Sequence, residues 1–321
     1  MSSSEPARES SRRGAAHSAG AAPPLPFWLR VISSLPWRVL YGCGSCLAFL
    51  AHRVLRYRVA VVRANIARCF PQLEPRARRR IERGYYRSLG QLFAEVLKSA
   101  TVTPEQLGRH LALREIEAVR TELDAGRPVL IVAAHQCNWE WLLLALSLQL
   151  GHPLDAAYKP LHSARADHLM RAMRTRFGSA LVPAKEVLGR ILMRRSAPAV
   201  AMVADQEPVT SDYKWWTTFL GTPTAFYMGP EKIAQARRCA VFFASMRRLE
   251  RGRYVVTLEL LMGAGAPLQP GQITERYARA VEAQVLASPA DWTWSHRRWK
   301  LRRPVYGNPG ALDQSAGEGR A

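Results

Sequence analysis

The 321-residue chain predicts an α/β fold: a helical amino-terminal region with a membrane anchor, followed by a mixed, mostly parallel sheet flanked by helices. Three observations carry that expectation. Apolar runs of strand length recur between residues 128 and 260 and alternate with helix-like stretches, the order that covers a sheet with helices. Ahead of residue 128 the interleaved apolar side chains recur at helical spacing instead. Titratable residues fall just past several of the runs, where open α/β sheets place their ligands.

Residues 1–26 are rich in Ser, Ala, Pro, Arg and Gly and read as a disordered leader. Residues 27–57 are the expected anchor. Leu35 to His52 is apolar over roughly the 20 residues a bilayer requires. Phe27, Trp28, Trp37 and Tyr41 stand near one end and arginines follow the other, which places the carboxyl-terminal side in the cytoplasm. Arg38, Gly42 and Gly44 weaken the span, so a buried core helix competes with it. Cys43-x-x-Cys46 has no second pair at metal spacing and fits better as small residues in an apolar helix.

Residues 58–126 form a basic, amphipathic helical region. Arg53, Arg56, Arg58, Arg63, Arg68, Arg76, Arg78, Arg79, Arg80, Arg83 and Arg87 face only Glu74 and Glu82, with Val54, Val59, Val62, Ile66 and Phe70 interleaved at helical spacing and a break at Pro71. Such a face lies on anionic lipid, each cation contributing on the order of 1 kcal/mol; a solvated charged face is the alternative. Helices are expected over 85–100 and 104–124. The α/β domain spans 127–303, with strands at 128–134, 154–159, 180–183, 198–204, 239–246 and 253–260. Its helices are expected at 139–150, 163–177, 185–195, 229–238 and 273–286, and the aromatic stretch Trp215 to Pro230 reads as a loop. Residues 304–321 read as a disordered tail.

Forty-six Lys and Arg against 25 Asp and Glu give a net charge of +21, which requires an anionic partner. No nucleic-acid-binding motif accompanies that charge, so lipid headgroups or an acidic substrate are favoured over nucleic acid. Five cysteines in a chain of this length do not make a disulfide framework. Neither a phosphate-binding glycine loop nor a dinucleotide fingerprint is present, and no metal or cofactor is expected.

The chemistry centres on Ala133-Ala134-His135-Gln136-Cys137-Asn138-Trp139-Glu140, directly after the run Pro128-Val129-Leu130-Ile131-Val132. An imidazole titrates near neutrality, and a carboxylate within reach sets its tautomer and stabilises the imidazolium, as a general base requires. Five positions on one continuous helix would hold the two side chains apart. They meet if His135 ends a strand, Asn138 caps a helix and Glu140 sits in its first turn. A satisfied core histidine beside an unrelated glutamate is the competing reading. Other clusters also follow strand candidates. Tyr158-Lys159-Pro160, with Arg165, Arg171, Arg174 and Arg176 beyond it, offers cations for phosphate. Ala204-Asp205-Gln206-Glu207 offers acids to orient a hydroxyl, a cation or a water. Trp292-Thr293-Trp294-Ser295-His296-Arg297-Arg298-Trp299-Lys300 mixes indoles and cations, which suits a membrane interface or a phosphorylated headgroup.

His-x4-Glu, Tyr-Lys-Pro, Ala-Asp-Gln, Phe219-Leu220-Gly221-Thr222-Pro223-Thr224-Ala225, Gly229-Pro230 and Trp-Ser-His-Arg-Arg-Trp-Lys occur in one order. With Asn65-Ile66-Ala67-Arg68-Cys69-Phe70-Pro71 ahead of them, the set resembles the late acyltransferases of lipid A biosynthesis, the lauroyl/myristoyl type, over about residues 30–304. The resemblance implies transfer of a fatty acyl group from acyl carrier protein to a hydroxyl of a phosphorylated lipid A precursor. The site would be the cytoplasmic face of the bacterial inner membrane. It makes His135 the base, Glu140 its partner and Asp205 the acid of the later motif. Asn138, Lys159, Arg174, Arg176, Gln206, His296, Arg297 and Arg298 become the substrate-binding set. Lys159 stands where the family more often has arginine, keeping the charge and losing the bidentate fork. Cys137, beside the base, offers a covalent alternative. A same-fold enzyme with another lipid acceptor, or a non-catalytic basic membrane- or nucleic-acid-binding protein, are the rival readings.

Overall fold

The computed structural model describes residues 25–184, 186–193, 199–209 and 213–301. All but the last two residues of the expected leader, and the whole expected tail, lie outside the described residues. The apolar runs build a seven-stranded sheet from β1 (Leu111–Arg114), β2 (Val129–Ala133), β3 (Leu154–Tyr158), β4 (Ala180–Pro183), β5 (Ala199–Val203), β8 (Ala240–Glu250) and β9 (Arg253–Met262). Their order is β1-β9-β8-β2-β5-β3-β4. Every pairing is parallel except β8 with β9. β2 is flanked by β5 and β8 and is buried along its whole length. Its alternate side chains serve two cores: Leu130 and Val132 on one face, Val129, Ile131 and Ala133 on the other. Each buried Val, Leu or Ile there contributes about 1.5–3 kcal/mol.

The first core is covered by α3 (Val59–Cys69), α4 (Pro75–Lys98), α10 (Gly229–Arg237) and α11 (Gln272–Ala287). The second is covered by α5 (Pro104–His110), α6 (Ile116–Asp124) and α7 (Trp139–Gln149). Helices α8 (Ala164–Arg174) and α9 (Val187–Met193) complete the crossovers after β3 and β4. The expected mostly parallel sheet with flanking helices is therefore observed.

Two stretches differ from expectation. Residues 104–124 are not one helix, because β1 interrupts them and pairs with β9 across the whole fold. Residues Trp215 to Tyr227 are not a loop. They form a hairpin, β6 (Lys214–Phe219) and β7 (Thr222–Tyr227), turning at Leu220 and Gly221 with φ of 49° and 72°. Two consecutive positive φ values match the primed turns that follow strand twist, and Gly221 makes the second inexpensive.

The anchor is corrected. No helix among the described residues is long and apolar enough to cross a membrane. Pro36 breaks the segment into α1 (Phe27–Ser34) and α2 (Trp37–Phe49), and a π-helical turn, Leu50–Val54, follows. Of the two glycines that weakened the span, Gly44 acts at a helix crossing instead, while Gly42 faces open space. A Cβ on Gly44 would strike the carbonyl of Gly90 in α4, and one on Gly90 would strike that of Gly44. The Tyr41 hydroxyl of α2 donates to Glu95 of α4 at 3.0 Å. The opposite side of this segment keeps an apolar surface, with Phe27 81 % and Leu55 74 % exposed.

Candidate active site

The site is assembled where β2 and β5 end side by side. His135 lies two residues past β2 and Asp205 two past β5, and the register pairs Ala133 with Val203. His135 Nδ1 lies 2.6 Å from Asp205 Oδ1, and the His135 backbone N–H donates to Oδ2 at 3.0 Å. Trp292 Nε1–H donates to the same Oδ2 at 2.7 Å. Tyr277 from α11 clasps the two strand ends, donating to the Ala133 carbonyl at 2.8 Å and accepting from Ala204 N at 3.2 Å. Burial pushes the Asp205 carboxyl up, but the His135 charge and the hydrogen bonds from His135 and Trp292 outweigh it and hold the group below its ordinary value. A carboxylate on Nδ1 selects the tautomer whose Nε2 carries a lone pair. His135 is partly exposed, and its Nε2 has no partner among the described residues.

The turn between His135 and α7 is locked from several sides. The His135 carbonyl accepts from Thr293 N at 3.1 Å and Thr293 Oγ1 at 2.9 Å. Asn138 caps α7 by accepting from Trp141 N at 3.0 Å and donates to Glu95 Oε2 at 2.8 Å. Glu95 also accepts from the Tyr254 hydroxyl at 2.8 Å. Burial drives its carboxyl above the ordinary value despite Arg248 and these donors. Cys137 sits between with φ 55°, in the left-handed region, its N–H bonded to the Asp291 carbonyl at 3.0 Å. Its thiol is buried, and burial raises its pKa well above the usual range, so the thiolate needed for a covalent step is suppressed. Cys137→Gly is expected to keep full turnover and to unfold within about 1 kcal/mol of wild type. Release of left-handed strain, on the order of 1–2 kcal/mol, offsets the lost packing. Turnover and thermal melting check this; an inactive glycine variant would instead point to the thiol as acyl carrier.

Glu140 does sit in the first turn of α7, but no hydrogen bond joins it to His135. Arg174 of α8 grips it with two bonds, Nε to Oε2 at 2.7 Å and Nη2 to Oε1 at 2.6 Å. Trp139 Nε1–H adds a third at 3.1 Å, while the Trp139 ring stands edge-on to His135 at 5.1 Å between centroids. The carboxylate bonded to the His135 ring is thus Asp205, 70 residues away in sequence, and Glu140 instead bonds to Trp139, whose ring faces His135.

Several other expected site residues are occupied by the protein itself. Asn138 is fully buried between α7 and Glu95. Arg174 is committed to Glu140, and Arg176 binds the carbonyls of Ser99 and Val102. Arg298 is 2 % exposed. Lys159 and Arg297 are exposed, and Gln206 and His296 are half-buried. Tyr277 and Glu95 hold the site and escaped the sequence reading, and Trp292 and Thr293, which hold it too, were read there only as part of the stretch of indoles and cations. The one signal for Glu95 was a lone acid within the apolar stretch Leu92-Phe93-Ala94-Glu95-Val96-Leu97.

The comparisons with known proteins cover most of the chain. The model of the family described as bacterial lipid A biosynthesis acyltransferase matches residues 25–301. The chain is 24 % identical over 277 residues to the lipid A biosynthesis lauroyltransferase of Escherichia coli K12, covering 86 % of this chain and 89 % of that protein. It is 22 % identical over 276 residues to the palmitoleoyltransferase of the same organism, with the same coverage of both. A lipid A biosynthesis acyltransferase of Haemophilus influenzae is 22 % identical over 285 residues. The chain belongs to the bacterial lipid A biosynthesis acyltransferase family.

Proposed function

We propose that this protein moves a fatty acyl group from acyl carrier protein to a hydroxyl of a lipid A precursor, with His135 as general base. The observation that carries this is the 2.6 Å contact between His135 Nδ1 and buried Asp205, which leaves Nε2 free to take a proton. A hydroxyl is a poor nucleophile at neutral pH, and a positioned base is worth about 10²–10⁴ in rate. His135 Nε2 takes the hydroxyl proton as the oxygen attacks the thioester carbonyl. Asp205 stabilises the imidazolium. The tetrahedral intermediate then expels the thiolate, which recovers the proton from Nε2, giving an ester and a free thiol. The net charge of +21 favours an acidic carrier and a phosphorylated acceptor.

The same reading has the protein lie on the inner membrane through its amino-terminal surface. Phe27, Trp28, Val31, Leu47, Phe49 and Leu55 expose apolar area along α1, α2 and the turn after them, and Arg53, Arg56 and Arg58 stand exposed beside that area. Apolar insertion and attraction to anionic headgroups reinforce one another in such a surface.

One experiment tests both parts: purified protein, a panel of acyl carrier thioesters, and a lipid A precursor carried in anionic vesicles. Product mass should rise by one acyl chain, and the protein should float with the vesicles. No transfer from any donor refutes the enzymatic reading, and protein left behind by the vesicles refutes the membrane reading.

A further inference from the structure

The segment after Trp292 holds two polar side chains that the base mechanism does not use. His296 is half-buried, and its Nδ1 is sealed from solvent with no partner. Arg298 is buried with Nε and both terminal nitrogens unpartnered, its guanidinium 4.5 Å from the centroid of the Phe226 ring. Unpartnered buried donors of this number are rare and require a reason. The backbone around His296 is fastened tightly. Asn65 Nδ2 donates to the carbonyls of Trp294 and His296, each at 2.8 Å, and Arg58 donates to that of Ser295 at 2.9 Å. Thr293, three residues earlier, grips the His135 carbonyl, so one rigid strap positions both histidines.

We propose that His296 is a second catalytic histidine, donating a hydrogen bond from Nε2–H to the thioester carbonyl oxygen as that oxygen becomes the tetrahedral oxyanion. The inference rests on the acyl-transfer reading and names the group that reading lacks, a fixed donor for developing negative charge. The tautomer follows from the surroundings. Nδ1 points inward, where Arg298 is the neighbouring charge, and a lone pair facing a cation is favoured over an N–H facing it. The proton therefore sits on Nε2, the nitrogen outside the sealed interior. No proton leaves His296 during the reaction; it only donates a hydrogen bond while His135 carries the proton from alcohol to thiolate.

Neutrality matters because His135 becomes an imidazolium in the same step, and a second cation beside it would oppose that protonation. Burial first, and then the Arg298 charge, hold the His296 pKa down to about 4. Of the other charged groups around it, Asp205 opposes that shift, and His135 and Arg58 reinforce it. Arg298 is accordingly a positioning residue, acting through His296 rather than on substrate. A preorganised neutral donor has the largest effect where charge develops, typically about 10²–10³ in kcat for a single hydrogen bond.

The test compares His296→Leu with His296→Gln, whose amide also donates a hydrogen bond from a similar reach. The leucine variant should lose about 10²–10³ in kcat with KM for the acyl thioester within about 3-fold, and glutamine should recover most of that loss. Nitrogen NMR of histidine-labelled wild type should show His296 as the neutral Nε2–H tautomer down to pH 5. Arg298→Met should move its protonation upward. A leucine variant with kcat within about 3-fold of wild type overturns the inference, and so does an imidazolium signal for His296 at pH 6 in wild type, which needs no variant to fold. An inactive wild type would bring down the acyl-transfer reading first; an active wild type with an unimpaired leucine variant sinks this inference alone.

Discussion

Asp205→Asn is expected to reduce kcat by about 10³–10⁴ and to do more damage than any change at Glu140. An amide beneath His135 presents a donor where Nδ1–H needs an acceptor, which turns the ring to the tautomer whose Nε2 is protonated and removes the base. KM should change little, because Asp205 is buried behind the ring and touches no substrate. Glu140→Gln breaks part of the Arg174 fork, because an amide nitrogen cannot accept from it. It leaves the His135–Asp205 pair in place and should cost far less. Equal losses at the two positions would show that Glu140, not Asp205, orients the ring. The same variant has a signature in stability. The folded-state pKa of Asp205 lies below its ordinary value, so its stabilisation is fully present above the unfolded carboxylate value near 3.9 and is lost as pH falls through the lower folded value. Denaturant titrations from neutral pH to about pH 2 should show that acid-limb loss in wild type and a shallower one in Asp205→Asn. Parallel curves would deny that the carboxylate is held by His135 and Trp292.

His135→Ala should lower kcat by about 10²–10⁴ at saturating donor, since the hydroxyl then has no base within reach. Folding should survive. The Asp205 carboxylate keeps its bonds from the residue-135 backbone N–H and from Trp292 Nε1, while loss of the ring partner costs about 1–3 kcal/mol. Circular dichroism and vesicle flotation separate an unfolded or detached protein from one that is only inactive. Turnover within a few-fold of wild type would falsify the assignment of His135 as the base.

Much of the site was legible because it is local. His135, Asn138 and Glu140 lie within one strand-turn-helix unit, so an apolar run, a capping residue and a helical pattern place them without knowledge of the rest of the chain. The acid of the later motif, Asp205, was equally visible as the residue after an apolar run. What sequence spacing could not convey is which carboxylate meets the ring. Glu140 is near in sequence but is drawn away by Arg174, because an arginine fork binding both carboxylate oxygens competes strongly for the group.

The amino-terminal helices teach the same point. Hydropathy from Leu35 to His52 resembles a span, and Arg38, Gly42 and Gly44 were visible as interruptions, whereas the break at Pro36 was not. Whether Gly44 weakens a membrane helix or lets two helices touch depends on what lies opposite, and Gly90 lies opposite. β1 and the β6–β7 hairpin were missed for a related reason. A four-residue strand is defined by its neighbour β9, and the aromatic hairpin is recognisable only by its two-residue turn.

The amino-acid sequence determined six of the sheet's seven strands, the helix that follows His135, the basic charge and the family, since each is written in residues close together or in composition. Tertiary structure alone decided the Asp205–His135 contact, the diversion of Glu140, the burial of Arg298 and the broken anchor. Those depend on parallel strand order and helix crossings, which join residues tens of positions apart and are settled by packing rather than by local preference.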